Sequence, residues 1–189
     1  MSTVLTRQSP MTRGDLMIRR VVVPGMIVFA AAVLGTQTSQ RAEDRIPREV
    51  RHELVMLPYY DVFDYLTYRV DGPKVSLFGQ VTLPTLKSDA EKVVKKVESV
   101  ETVENQIEVL PLSPNDDRVR RAAYRAIFSK APLQRYQLSA VPPIHIIVKN
   151  GDITLEGVVA NDGDKNMAEI AAKGVHGAFS VKNNLRIDK

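Results

Sequence analysis

"VSLFGQV" (75–81) and "ITLEGVV" (153–159) are the stretches that decide the fold. Each alternates apolar residues with others at period two, the pattern of a strand with one face in a core. Each also carries a glycine, Gly79 or Gly157, where a strand interior ordinarily avoids one. Gly157 follows Gly79 by 78 residues, and Asn183 follows Asn105 by the same 78. One register relates two stretches of the chain, so a small unit is written twice.

The remaining elements fall into that register. "LTYRV" (66–70) matches "IHIIV" (144–148), and the turns "DGPK" (71–74) and "KNGD" (149–152) follow them. Asp-Gly or Asn-Gly between two alternating runs predicts a hairpin. Ala90, Val93, Val94 and Val97 then recur at i, i+3, i+4 and i+7, as do Ala168, Ala171, Ala172 and Val175. That spacing predicts an amphipathic helix in each unit. Closing strands follow at "TVENQIEV" (102–109) and "SVKNNLRI" (180–187). A further helix precedes each unit, over 48–57 ahead of Pro58 and over 117–130 ahead of Pro132, with "PNDD" (114–117) as the second N-cap.

Connection lengths then set the topology. A tight turn makes the first two strands antiparallel, and a helix between the second and third makes that pair a right-handed parallel crossover. The predicted class is α+β: two tandem α-β-β-α-β units, each a mixed three-stranded sheet with two helices on one face. They span 48–110 and 117–189, joined by a linker at 111–116. The helix-facing rows are Val75, Leu77, Gly79, Val81 and Ile153, Leu155, Gly157, Val159. Both glycines read as packing devices beneath the second helix, with backbone approach to a ligand as the alternative.

The first 35 residues stand apart. "MIRR" (17–20) precedes the apolar "VVVPGMIVFAAAVLG" (21–35), shorter than the ~20 residues of a membrane span. Residues 1–35 read as a secretory signal or an uncleaved N-terminal anchor, and the polar 36–47 as a linker. The body of the chain is then exported, to the periplasm or cell envelope. Cysteine is absent, which excludes disulfides, thiolate catalysis, a cysteine-rich zinc site and a lipid-attachment cysteine after the leader.

Catalytic residues are scarce. His52, His145 and His176 lie in different elements, and neither His145 nor His176 has a histidine at its counterpart, Thr67 and Glu98. No three ligands converge for a metal, and "NDGDKN" (161–166) lacks the acidic spacing of a calcium loop, so Asp162 or Asp164 reads as a helix N-cap. Ser76 and Thr154 have no neighbouring base, and no phosphate-cradling glycine loop is present. The expectation is a protein that is not an enzyme and uses no cofactor or metal.

"DGPKVSLFGQV" with "VENQI", and "NGDITLEGVV" with "VHGAFSVKNNL", resemble the BON domain, the small module of bacterial OsmY-type envelope proteins. The resemblance covers nearly everything from residue 48 onward, in two copies. The family's Gly-Val before the last strand is kept as Gly174-Val175 in unit two and becomes Lys96-Val97 in unit one. The resemblance implies a non-enzymatic envelope module that binds phospholipid or holds other domains at a membrane surface, with an association with osmotic stress.

Charge is divided between the copies. Residues 43–110 hold 13 acidic and 9 basic side chains, net −4, whereas 116–189 hold 8 and 12, net +4. Glu104, Gln106 and Glu108 on the last strand of unit one correspond to Lys182, Asn184 and Arg186 at the equivalent positions of unit two. Arg120, Arg121 and Arg125 add to unit two on its first helix. Three readings are open: solvated faces, attraction between the units, and a basic face toward anionic lipid. The leading expectation is binding to an anionic phospholipid surface through Arg120, Arg121, Arg125, Lys182 and Arg186. Gly79, Gly157, Asn105 and Asn183 are taken as structural. Near-zero net charge after the leader removes the support for nucleic acid as a partner. The runner-up is a protein-interaction module that docks an envelope protein or the cell wall through the open sheet. Tyr59, Tyr60, Phe63, Tyr65 and Tyr68 read as a helix–strand junction or as an interfacial rim.

Overall fold

The computed structural model describes residues 45–139 and 141–188. The predicted leader, 1–35, and most of the linker, 36–47, lie outside the described residues.

Unit one begins with α1 (45–55), followed by β1 (Tyr65–Asp71), β2 (Lys74–Val81), α2 (Pro84–Val94), β3 (Thr102–Asn105) and β4 (Glu108–Val109). Unit two runs α3 (Pro114–Phe128), a 3-10 helix (Ala131–Leu138), β5 (Ile144–Lys149), β6 (Asp152–Val159), α4 (Asp162–Lys173), β7 (Ser180–Asn183) and β8 (Arg186–Ile187). The class is α+β with two mixed sheets. β1 pairs antiparallel with β2, and β3 and β4 pair parallel to β2. Unit two repeats this with β5, β6, β7 and β8.

Each closing strand is one strand broken by an asparagine. Asn105 Nδ2 donates to Lys87 O at 2.8 Å and Glu91 Oε2 at 3.1 Å, while its Oδ1 accepts from Ile107 N at 3.2 Å. Asn183 makes the same set, to Lys165 O, Glu169 Oε2 and Leu185 N. The side chain thus ties the edge strand to the second helix and turns the residue two positions on, Ile107 or Leu185, into the core. An amide with both donor and acceptor is required for this.

The glycines act against a strand, not a helix. Gly79 has φ +122° and Gly157 φ +118°. A Cβ would stand 1.9 Å from Tyr65 O at Gly79 and 2.0 Å from Pro143 O at Gly157. The neighbouring strand's carbonyl fills the space, which corrects the expectation that the second helix does.

Helix caps also differ from the sequence reading. Ser113 is the N-cap of α3, its Oγ accepting from Asp116 N, and Pro114 occupies the first turn. Asn161, not Asp162 or Asp164, caps α4. Asp164 is buried instead and accepts from Tyr136 Oη and Arg135. The 3-10 helix carrying Tyr136 was not foreseen. Its hydroxyl also receives Ala160 N, the amide whose unit-one counterpart, Thr82 N, is received by buried Asp64. Two unrelated side chains therefore close the same gap in the two copies.

The helix-side core of unit one gathers Val50, Leu54, Val75, Leu77, Leu86 and Ala90, and that of unit two Val119, Ile127, Ile146, Leu155, Ala168 and Leu185. Val62, from the α1–β1 connection of unit one, belongs to the core of unit two. Its carbonyl accepts from Ile146 N at 2.8 Å, continuing the edge of β5. On the helix-free side His145 and Ile147 are buried as well. His145 stacks on Tyr60 and meets Tyr65, and Lys149 Nζ reaches Glu108 Oε1 at 2.5 Å. The sheet of unit two is accordingly not open at β5, because unit one covers it there.

Candidate functional site: a basic and aromatic groove on α3

α3 sorts its residues by helical spacing. Val119, Ala123 and Ile127 turn into the core, while Arg118, Arg121 and Arg125 recur at i, i+3 and i+7 along one exposed stripe. Arg118 reaches Asn115 Oδ1 at 2.6 Å. The side chains of Arg121 and Arg125 make no hydrogen bond or ion pair among the described residues, so both guanidiniums remain available to an anion.

Beside them lies a groove of about 420 Å³, lined by Val62, Phe63, Arg121, Tyr124 and Arg125. The Phe63 and Tyr124 rings meet edge-on at 6.1 Å, and Tyr124 lies 4.9 Å from buried Phe128. Phe63 and Val62 come from unit one, so the floor is completed by the connection that crosses to unit two. The sequence offers Phe63 as part of a helix–strand junction or an interfacial rim, and Tyr124 as a residue of the second unit's first helix. It does not show that they share one groove, since their juxtaposition depends on how the units dock.

The five residues expected to contact lipid do not form one face. Arg120 is 5% exposed, gives one guanidinium nitrogen to Asp117 and another to Val148 O at 2.7 Å, and is a structural link between α3 and β5. A guanidinium held in this way cannot reach a surface, and Arg120 is withdrawn from the set. Lys182 and Arg186 are exposed on β7 and β8, in rows paired with Thr154 and Val158 on the helix-free side, away from α3. Arg121 and Arg125 alone share the groove.

Two other polar groups stand out. Asp64 is fully buried, and burial raises its pKa above the usual carboxylate range, although Thr82 N and Oγ1 donate to it at 2.6 and 2.9 Å. His145 is 7% exposed, and burial pushes its pKa below the ordinary imidazole value. Its Nδ1 has no partner among the described residues. Burial also pushes the Tyr60 phenol up to about 12. These groups sit around the joint between units. Among the described residues no cluster of three or more His, Asp or Glu could hold a metal, and no helix is long and apolar enough to cross a membrane.

The doubled unit and its geometry agree with what comparison finds. The BON domain model matches residues 43–111 and again 116–189, and the chain belongs to that family. BON domains are generally non-enzymatic envelope domains, and the match indicates no catalytic family. No curated protein matches. Similar solved structures include the C-terminal domain of CdsD, the structural protein of the type III secretion system of Chlamydia trachomatis. It is 13% identical, with 75% of this chain and 96% of that chain covered and a TM-score of 0.30. A second CdsD structure is 12% identical, covering 77% and 94%, with a TM-score of 0.29.

Proposed function

We propose that this protein attaches to anionic phospholipid at a cell-envelope membrane surface through the α3 groove. The observation that carries the reading is the pair Arg121 and Arg125, unpaired among the described residues and one turn apart, along a groove floored by Val62, Phe63 and Tyr124. Guanidinium forks match phosphate oxygens, and aromatic rings suit the boundary between headgroup and acyl chain. Each arginine held at an anionic surface contributes about 1 kcal/mol, so the attachment is reversible and falls with salt. Unit one supplies part of the site, and the two units act as one binding body.

Vesicle co-sedimentation tests this. The whole exported chain is expected to pellet with phosphatidylglycerol-containing vesicles at low salt and to stay in solution with pure phosphatidylcholine. Arg121→Glu with Arg125→Glu should abolish pelleting, whereas Lys182→Glu should leave it nearly unchanged. Equal recovery on both vesicle types, or an undiminished double variant, overturns the reading.

A further inference from the structure

A second, larger cavity lies between the units, and its chemistry differs from that of the α3 groove. It measures about 550 Å³, within the few-hundred to about 1,000 Å³ typical of small-ligand sites. One wall is α1 with Arg51 and β1 with Tyr65 and Tyr68; the other is the run up to Pro143, with His145 and Arg186. Neither an aspartate nor a glutamate lines it. Arg51 and Arg186 are both exposed, come from different units, and make no ion pair among the described residues.

Most of the wall is aliphatic, aromatic or proline, and His145, kept neutral by burial, adds no charge to the floor. A bare anion would leave the apolar wall of this cavity unfilled, and a purely apolar molecule would leave two guanidiniums stranded at its edges. The fitting occupant combines both: an apolar body of small-ligand size with an anionic group at one or both ends. Guanidiniums take carboxylate or phosphate in two parallel hydrogen bonds, and tyrosine rings pack against the body.

The geometry points to a discrete binding site for a small anionic amphiphile in the inter-unit cavity, held between Arg51 and Arg186. This is separate from membrane attachment at α3, and it makes the joint between the units a place where a ligand can act. Because the walls belong to different units, an occupant that bridges them favours the docked arrangement by mass action.

The source of such a ligand is either a single lipid-derived chain or a soluble organic acid, and two probes separate them. Calorimetric titration of the whole exported chain would use dodecyl phosphate below its micelle concentration and, in a second arm, phenylpropionate. Binding of only the first identifies a lipid-like ligand, and binding of either supports the site. Arg51→Glu with Arg186→Glu, both surface changes, should weaken binding at least tenfold while circular dichroism and vesicle pelleting stay as in the parent. Arg121→Glu with Arg125→Glu should leave probe binding intact, so this proposal and the α3 reading can fail separately. Binding that survives Arg51→Glu with Arg186→Glu, or no heat with either probe, overturns the proposal. So does capture of an acidic peptide along β1 in place of both probes.

Discussion

The His145 ring stacks on the Tyr60 ring at 5.7 Å between centroids with a 25° interplanar angle, and this contact joins the two units. It places an imidazole where water cannot solvate its cation. Tyr65 closes a second side at 5.5 Å, and Glu156, opposite on β6, is engaged by Asn184 Nδ2 at 2.6 Å.

Stability should therefore decline as pH falls below about 6.5, the ordinary value for histidine. The folded-state pKa of His145 is depressed, so the unfolded chain takes the proton first. Stability is full above the unfolded value and is lost as pH falls from there through the folded one. Asp64 works in the opposite sense: its folded pKa is raised, and its penalty is relieved as pH falls through that value. Lowered Glu91, Glu108 and Glu169 lose their contribution below the ordinary carboxylate range. Between pH 7 and 5, thermal unfolding should show a steeper fall for the parent than for His145→Gln. Parallel curves would remove His145 as the cause.

Asn105→Ala and Asn183→Ala should destabilise by similar amounts, about 1–3 kcal/mol each, because each removes the same partly buried set of hydrogen bonds. Urea titration reads this directly. Asn→Asp at either position should be no better than alanine, since a carboxylate cannot donate to Lys87 O or Lys165 O. A loss confined to one copy would show that the two closing strands are held differently.

Glycine substitutions separate steric exclusion from backbone preference. Gly79→Ala or Gly157→Ala should cost about 3 kcal/mol or more, since the methyl would lie 1.9–2.0 Å from a carbonyl oxygen. Gly72→Ala meets nothing within 4 Å and carries only the left-handed penalty at φ +56°, about 1–2 kcal/mol. Guanidinium denaturation of the three variants checks the order. Equal losses at Gly72 and Gly79 would show that the strand gives way.

Much of this was legible in the sequence because it is local. The period of two around Gly79 and Gly157, the Asn-Gly and Asp-Gly turns and the 78-residue offset define the units without any tertiary information. Arg120 was misread for a physical reason: charge alone does not say which side of a helix a residue occupies. Its phase with Val119 and Ala123 turns it inward, where a backbone carbonyl, Val148 O, holds it. The α3 groove was legible only in part. Arg121 and Arg125 follow from spacing, but Val62 and Phe63 reach α3 through a crossing that no local pattern encodes. Tyr136 replaces the role of Asp64 in the second copy, and a substitution between non-equivalent positions leaves no repeat to read.

Both charge and apolar contact join the units. Opposite net charges suggest attraction, and Lys149 does reach Glu108, yet both side chains are more than 40% exposed. An ion pair so solvated is worth about 0.2–1 kcal/mol and weakens with salt. Val62 is 6% exposed within the core of the other unit, and burying such a side chain contributes about 1.5–3 kcal/mol. Val62→Ala should therefore destabilise more than Lys149→Ala, and its effect should persist at high salt. Heteronuclear NMR would follow the joint itself, with Val62→Ala shifting resonances across both units and Lys149→Ala shifting only those near β4 and β5. If Lys149→Ala proved the more disruptive change, and added salt reproduced it, charge rather than apolar contact would be what binds the copies.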